Sequence, residues 1–185
     1  MKKLLALFGL LAALPAYAVD CGNMGQWLGA ACDKVAGTFA NGTRDLYVSG
    51  YAWHDPATYT AEKRKELNDK AWGLGYGKHL TDAKGNDDLV YGMLFKDSHA
   101  TPELIIGYGH LWNWQIAGPV SAGLGYTVGL TSRQDIFGGI PFPAAFPLAQ
   151  IKVDRFVVMA TAIPKLGGGL NHGNVAYVFG RYEWQ

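Results

Sequence analysis

From Asp45 onward the chain alternates. In 120–132, VSAGLGYTVGLTS, the side chains of Ala122, Leu124, Tyr126, Val128 and Leu130 fall on one side, and Ser121, Gly123, Gly125, Thr127, Gly129 and Thr131 on the other. A period of two belongs to a strand, whose successive side chains point to opposite faces. The same period runs through 45–54 (DLYVSGYAWH), 72–80, 88–97, 102–113, 147–154, 155–163 and 174–184. Eight strands are therefore predicted, following one another as hairpins with no crossover helix between them. Ahead of them, 23–39 spaces Trp27, Leu28, Ala31, Val35 and Phe39 at intervals of three and four. That predicts an amphipathic helix, weakened by Gly25, Gly29 and Gly37. Such a helix suits either a protein surface or a membrane interface.

The wet face decides the fold class. A soluble sandwich buries its large apolar face and exposes a charged one. In 120–132 the smaller face holds glycine, serine and threonine, with neither Lys nor Glu. A closed barrel in lipid resolves this, with oily residues meeting hydrocarbon and small ones lining a narrow lumen. Closure also satisfies every strand edge, as lipid demands. Trp72, Trp112, Trp114 and Trp184 near strand ends suit interfacial girdles. The expected class is all-β: an eight-stranded antiparallel transmembrane β-barrel preceded by an N-terminal amphipathic helix. The connections 55–71 and 133–146 are long, and those at 81–87 and near Asp154 short. Long loops belong outside the cell and short turns in the periplasm. The connection at 98–101 is short where a longer one is expected.

The first eighteen residues, MKKLLALFGLLAALPAYA, carry two lysines, an apolar run and an Ala-Tyr-Ala ending. This predicts a secretory signal over 1–18, then 19–44 as helix and lead-in, and 45–185 as the barrel. Composition agrees: 25 glycines with 6 Trp, 10 Tyr and 8 Phe fit closed β-structure. A net charge of +1 and the lack of a basic, aromatic-interleaved stretch argue against nucleic acid. Cys21 and Cys32 form a disulfide or remain free thiols, and a metal site through them is not expected.

In an up-and-down barrel the ends of the first, third and fifth strands reach one rim. His54 ends the first, Asp97 and Ser98 the third, and Arg133 follows the fifth. An imidazole, a carboxylate and a hydroxyl supply what acyl transfer needs: a base, a partner to orient it and a polar stabiliser. Arg133 offers a guanidinium to a phosphate or an oxyanion. Asp97 and Ser98 point to opposite faces if both stay in the strand, so the chain must bend there. Ser98 is then either a nucleophile or a positioner, with His54 activating the acceptor hydroxyl directly in the second case. The same groups also fit plain solvated rim residues. His99 and His172 are expected in solvated loops, His79 solvated near a turn, and His110 in local packing within the fourth strand.

The segments YAWH (51–54), AWGLGYG (71–77), KGN (84–86), FKDS (95–98), IIGYG (105–109), GLGYTVGLTSR (123–133), IPFP (140–143) and NHGNV (171–175) resemble the outer-membrane lipid A palmitoyltransferase (PagP) family. The likeness runs in order through nearly all of the barrel. It implies transfer of an acyl chain, typically palmitate, from the sn-1 position of a phospholipid to a hydroxyacyl chain of lipid A, without a cofactor. It implies catalytic positions at His54, Asp97 and Ser98, and Gly109 as the small residue at the floor of the acyl pocket. Pro147 and Pro164 match a proline pair flanking a lateral lipid gateway, since proline removes a ladder donor. At a second gateway, Ser49 and Ala71 stand where prolines are expected. The partners implied are a phospholipid donor and a lipid A acceptor in the outer membrane, met by a monomer whose active rim faces the exterior. A barrel hydrolase acting on lipid A or phospholipid is the alternative, and a non-enzymatic barrel a third.

Overall fold

The computed structural model describes residues 20–167 and 171–184, so the expected leader over 1–18 lies outside it. Helix α1 (Gly25–Asn41) leads into β1 (Thr43–His54). A loop carrying the short helix α2 (Ala61–Glu66) connects to β2 (Gly73–Thr81), β3 (Asp87–Lys96), β4 (Pro102–Ala117) and β5 (Val120–Ser132). A single 3-10 turn (Phe137–Gly139) precedes β6 (Phe142–Val153), β7 (Phe156–Ile163) and β8 (Val175–Trp184). Each strand pairs with its sequence neighbour, and β1 with β8, giving a closed eight-stranded antiparallel barrel. No helix among the described residues is long and apolar enough to cross a membrane.

The alternation expected from the sequence has its oily side outward. Along β5, Leu124, Tyr126, Val128 and Leu130 are exposed, while Gly123, Thr127 and Thr131 are buried. An exposed apolar belt on this scale is a lipid-facing surface, not a soluble one. Trp72 lies at one end of this belt, and Trp112, Trp114 and Trp184 at the other, all exposed. The inward row of β2 is small for a reason: a Cβ on Gly77 would stand 2.8 Å from Tyr91 Cβ and 2.9 Å from the Tyr47 ring. The glycine faces make room for large side chains from the flanking strands β1 and β3.

The lumen is layered. Below the loop-bearing rim, Tyr47, Leu89, Tyr91, Met93, Leu148 and Met159 form an apolar core, buried throughout. At the opposite end the lumen is charged: Arg181 lies 3.0 Å from Glu183, 3.4 Å from Asp87 and 3.7 Å from Asp45. Lys152 bonds Glu183 at 2.7 Å, and Gln150 bonds Asp87 at 3.0 Å. His79 belongs to this layer, 2.9 Å from Asp45 and only 5% exposed. The expectation of a solvated His79 is thus corrected, because residue 79 falls on the inward row of β2. His110 lies on the outer row, bonded to Asp88 at 2.7 Å beneath the edge-on Trp112 ring.

Helix α1 begins and ends two residues later than expected and packs outside the barrel on β2 and β3. Lys78 donates to Phe39 O at 2.7 Å and Lys34 pairs with Asp88 at 3.5 Å, while Trp27 remains 82% exposed. Cys21 and Cys32 are joined in a disulfide, tying the lead-in to the helix. β6 starts at Phe142, five residues earlier than the alternation indicates, because Pro143 makes that stretch read as loop although β5 pairs with it.

Candidate active site at one rim of the barrel

A bulge sets the site. Asp45, Tyr47 and Ser49 are the inward residues of lower β1, and unbroken alternation would continue with Tyr51 and Trp53. The register shifts between Ser49 and Tyr51, so Gly50 is absorbed as an extra residue. Ala52 and His54 then continue the inward row and Trp53 turns outward, with His54 3% exposed at the top. The available sequence cue was a glycine inside a strand, which often marks a bulge.

β3 ends at Lys96, and the required bend follows immediately. Asp97 builds it: Oδ1 accepts the backbone N–H groups of His99 and Thr101, each at 2.8 Å, and Oδ2 accepts the Thr101 hydroxyl at 2.7 Å. Ala100 takes a positive φ of 60° at the tip. This turn presents Ser98 Oγ to His54 Nε2 at 2.9 Å. The structure therefore brings His54 and Ser98 together, and spends the Asp97 carboxylate on the turn. The other imidazole nitrogen, Nδ1, lies 2.7 Å from Asp69 Oδ1. Sequence reasoning missed Asp69, which sits in the charged run 60–70 among other acids and bases.

Tyr59, from the same long loop, stands edge-on over His54 with ring centroids 5.4 Å apart. Burial pushes its phenol above the usual range, so it is neutral at every pH of interest. Its hydroxyl reaches Asn171 Oδ1 and Gly173 O, both at 3.4 Å, which knits the β1–β2 loop to the β7–β8 loop. Arg133 lies on the far wall, with its guanidinium held two-pronged by Asp135 at 3.1 and 2.7 Å and Glu103 at 3.9 Å. A cavity of about 50 Å³ at this level is lined by Ser98, Asp97, Glu103, Arg133, Ile163 and Tyr177 among others.

The wall opens beside the cavity. β6 and β7 pair only from Leu148–Thr161 downward, leaving 142–147 without a partner on β7. Pro147, lacking an N–H, stands at the top of that ladder, and Pro164 follows β7 directly. Outside lies a groove of about 510 Å³ lined by Trp53, Pro147, Ile163, Pro164 and Val175 among others. Ile163 and Val175 line both spaces, so little more than these side chains separates the outer groove from the cavity. At the other seam, pairing of β1 with β2 stops at Ser49–Gly73. There the Ser49 hydroxyl donates to Ala71 O, and Ala52 N–H to Asp69 O at 2.9 Å. Gly109 faces inward at the lower end of the apolar lumen, opposite Leu89.

An eight-stranded outer-membrane-type barrel with a base–hydroxyl pair over an apolar lumen defines a membrane enzyme class acting on acyl chains. A family model described as antimicrobial peptide resistance and lipid A acylation protein PagP matches residues 34–181. A lipid A acyltransferase PagP of Bordetella parapertussis is 41% identical over 182 residues, covering 98% of this chain and 97% of its own. One from Bordetella pertussis is 41% identical over 174 residues, covering 94% of each chain. One from Legionella pneumophila is 38% identical over 187 residues, covering 98% of each. The chain belongs to the PagP family, and it is an outer-membrane enzyme of the acyltransferase type.

Proposed function

We propose that the protein moves an acyl chain, palmitoyl by the depth of its lumen, from the sn-1 position of a phospholipid to a hydroxyacyl chain of lipid A. The observation that supports this best is the bonded row Asp69–His54–Ser98 above an apolar lumen beside a gap in the wall. From Asp97 down to Leu89 opposite Gly109, the strand rises roughly 26 Å at about 3.3 Å per residue. A tilt of about 40° leaves about 20 Å along the barrel axis. An extended palmitoyl chain measures about 19 Å, at roughly 1.25 Å per methylene from C–C bonds of about 1.5 Å.

The donor's tail enters through the opening between β6 and β7 flanked by Pro147 and Pro164, and fills the lumen toward Gly109. Its ester then lies at the rim beside Ser98. The Ser98 hydroxyl gives its proton to His54 Nε2 as Oγ attacks the ester carbonyl. The C–O bond to the glycerol breaks and the lysophospholipid leaves with the proton from His54. The lipid A hydroxyl next loses its proton to His54 and attacks the acyl-Ser98 ester. Ser98 is released as a hydroxyl when His54 returns the proton. One ester replaces another, so the step needs no cofactor. Arg133, paired with Asp135, and Glu103 line the cavity where the headgroups meet. The long loops carry this site, which supports an active rim facing the cell exterior. A closed barrel has no free strand edge to pair, and we assign a monomer.

Purified protein in mixed micelles of phospholipid and lipid A gives lysophospholipid and a heavier lipid A, both read by mass spectrometry. Free fatty acid without heavier lipid A instead identifies the hydrolase, and neither product the non-enzymatic barrel. Donor supplied alone leaves an acyl mass on Ser98. A transfer-active protein with no such adduct is one in which His54 activates the acceptor hydroxyl directly.

A further inference from the structure

We infer that Asp69 is the positioning residue of His54. This deepens the acyl-transfer reading and rests on it. For Nε2 to take a proton from Ser98, the imidazole must carry its own proton on Nδ1, and a carboxylate facing Nδ1 fixes that tautomer. Asp69 Oδ1 is the group facing it, at 2.7 Å. The Asp97 carboxylate is filled by three donors of its own turn.

The neighbours of Asp69 turn this contact into a built one. Its carbonyl accepts the N–H of Ala52, two residues before His54 on the same strand, at 2.9 Å. The preceding Asn68 donates its N–H to Ser98 O at 2.7 Å and its side-chain amide to Asp97 O at 3.0 Å. The Asn68 carboxamide also closes on Lys70, donating to its carbonyl at 3.0 Å and accepting from its N–H at 3.2 Å. At the end of the segment, Ala71 O takes the Ser49 hydroxyl. One short segment is thus bonded both to the strand that carries the base and to the turn that carries the hydroxyl. It sets the His54–Ser98 distance as well as the ring orientation. It also bridges the β1–β2 seam, where Ser49 and Ala71 replace the expected prolines. In this chain, site assembly and closure of that seam are one event.

The test uses purified, refolded protein in mixed micelles with phospholipid donor and lipid A. Asp69→Asn keeps the shape and removes the charge. Its kcat falls about 10- to 100-fold with the donor KM unchanged. This is less than the ~10⁴-fold fall for the buried triad carboxylate of a serine protease, since water screens a carboxylate that is 50% exposed. Asp69→Glu recovers a substantial part of kcat, which a merely structural role does not explain. In a His54→Ala background, Asp69→Asn adds nothing further, because its effect passes through the imidazole. Folding of each variant is checked by its heat-modifiable migration on gels. The inference is overturned by Asp69→Asn keeping kcat within twofold of the parent, or by a penalty that persists undiminished without His54. Full activity in His54→Ala overturns the acyl-transfer chemistry itself, and is distinguishable because Asp69 plays no part in it.

Discussion

Gly109→Met should shorten the chain the enzyme transfers. Even a methyl group at this position meets Leu89 Cδ1 at 3.3 Å and Leu148 Cδ2 at 3.4 Å. Both neighbours are the free ends of flexible side chains, so the barrel can accept the added volume at an overpacking cost of about 1–3 kcal/mol. The methionine side chain projects roughly 4–5 Å past Cα into the lumen, which at about 1.25 Å per methylene removes room for about four carbons. Each methylene denied burial costs about 0.8 kcal/mol. The preference for a palmitoyl donor over one four carbons shorter therefore falls by about 3 kcal/mol, or about two hundredfold in kcat/KM. The assay offers an equimolar mixture of phosphatidylcholines differing in chain length, and reads the added acyl group on lipid A by mass spectrometry. Gly109→Ala should move the optimum by only about one carbon. A folded Gly109→Met enzyme that still transfers palmitate with the parent's selectivity would refute the lumen as a length gauge. So would a loss of all transfer with no gain for shorter donors, which would indicate a damaged site instead.

Three more outcomes follow from the same contacts. Arg181→Ala removes the cation that faces Asp45, Asp87 and Glu183, leaving buried carboxylates short of a partner; we expect a loss of about 3–5 kcal/mol in urea unfolding from lipid vesicles, and a loss under 1 kcal/mol would contradict the pairing. Gly173→Ala places a Cβ 2.7 Å from Tyr59 Cζ and must push that ring off His54, so kcat should drop by about tenfold, equivalent to about 1.4 kcal/mol, while thermal stability changes little. The Asp55 carboxyl is held below its usual range first by the Ala57 N–H, with help from Asn174 and Thr58. A depressed pKa means that the Asp55 tie between the β1–β2 and β7–β8 loops is complete at neutral pH and above, and fades as pH falls through the acid range. Amide exchange at Ala57 should accelerate there, and Asp55→Asn should abolish that dependence.

The wall of the barrel was legible because lipid imposes one rule on every outward position. Leu124, Tyr126, Val128 and Leu130 had to be oily, and the glycines opposite had to be small. Where strands carried residues that usually sit in loops, the pattern ran short: Pro143 disguised the start of β6, and Gln115 the end of β4. Strand parity also brought His54 and Ser98 to one rim, which is as far as connectivity reaches. It could not show the bulge at Gly50, without which residue 54 falls on the lipid side of the row begun by Asp45. Asp69 was hidden for a different reason. Its role depends on where a long loop folds back, and no local periodicity encodes that. His79 misled because a histidine near a strand end usually meets water, whereas here it packs against Asp45 and Glu183 inside the barrel.

The charged layer around Arg181 has a consequence for turnover. In the proposed reaction it closes the lower end of the lumen, so an acyl tail that enters from the upper end must leave by the path it took. Donor and product tails cannot pass one another. Each round of exchange then proceeds in strict succession, and departure of the finished lipid sets when the next can begin.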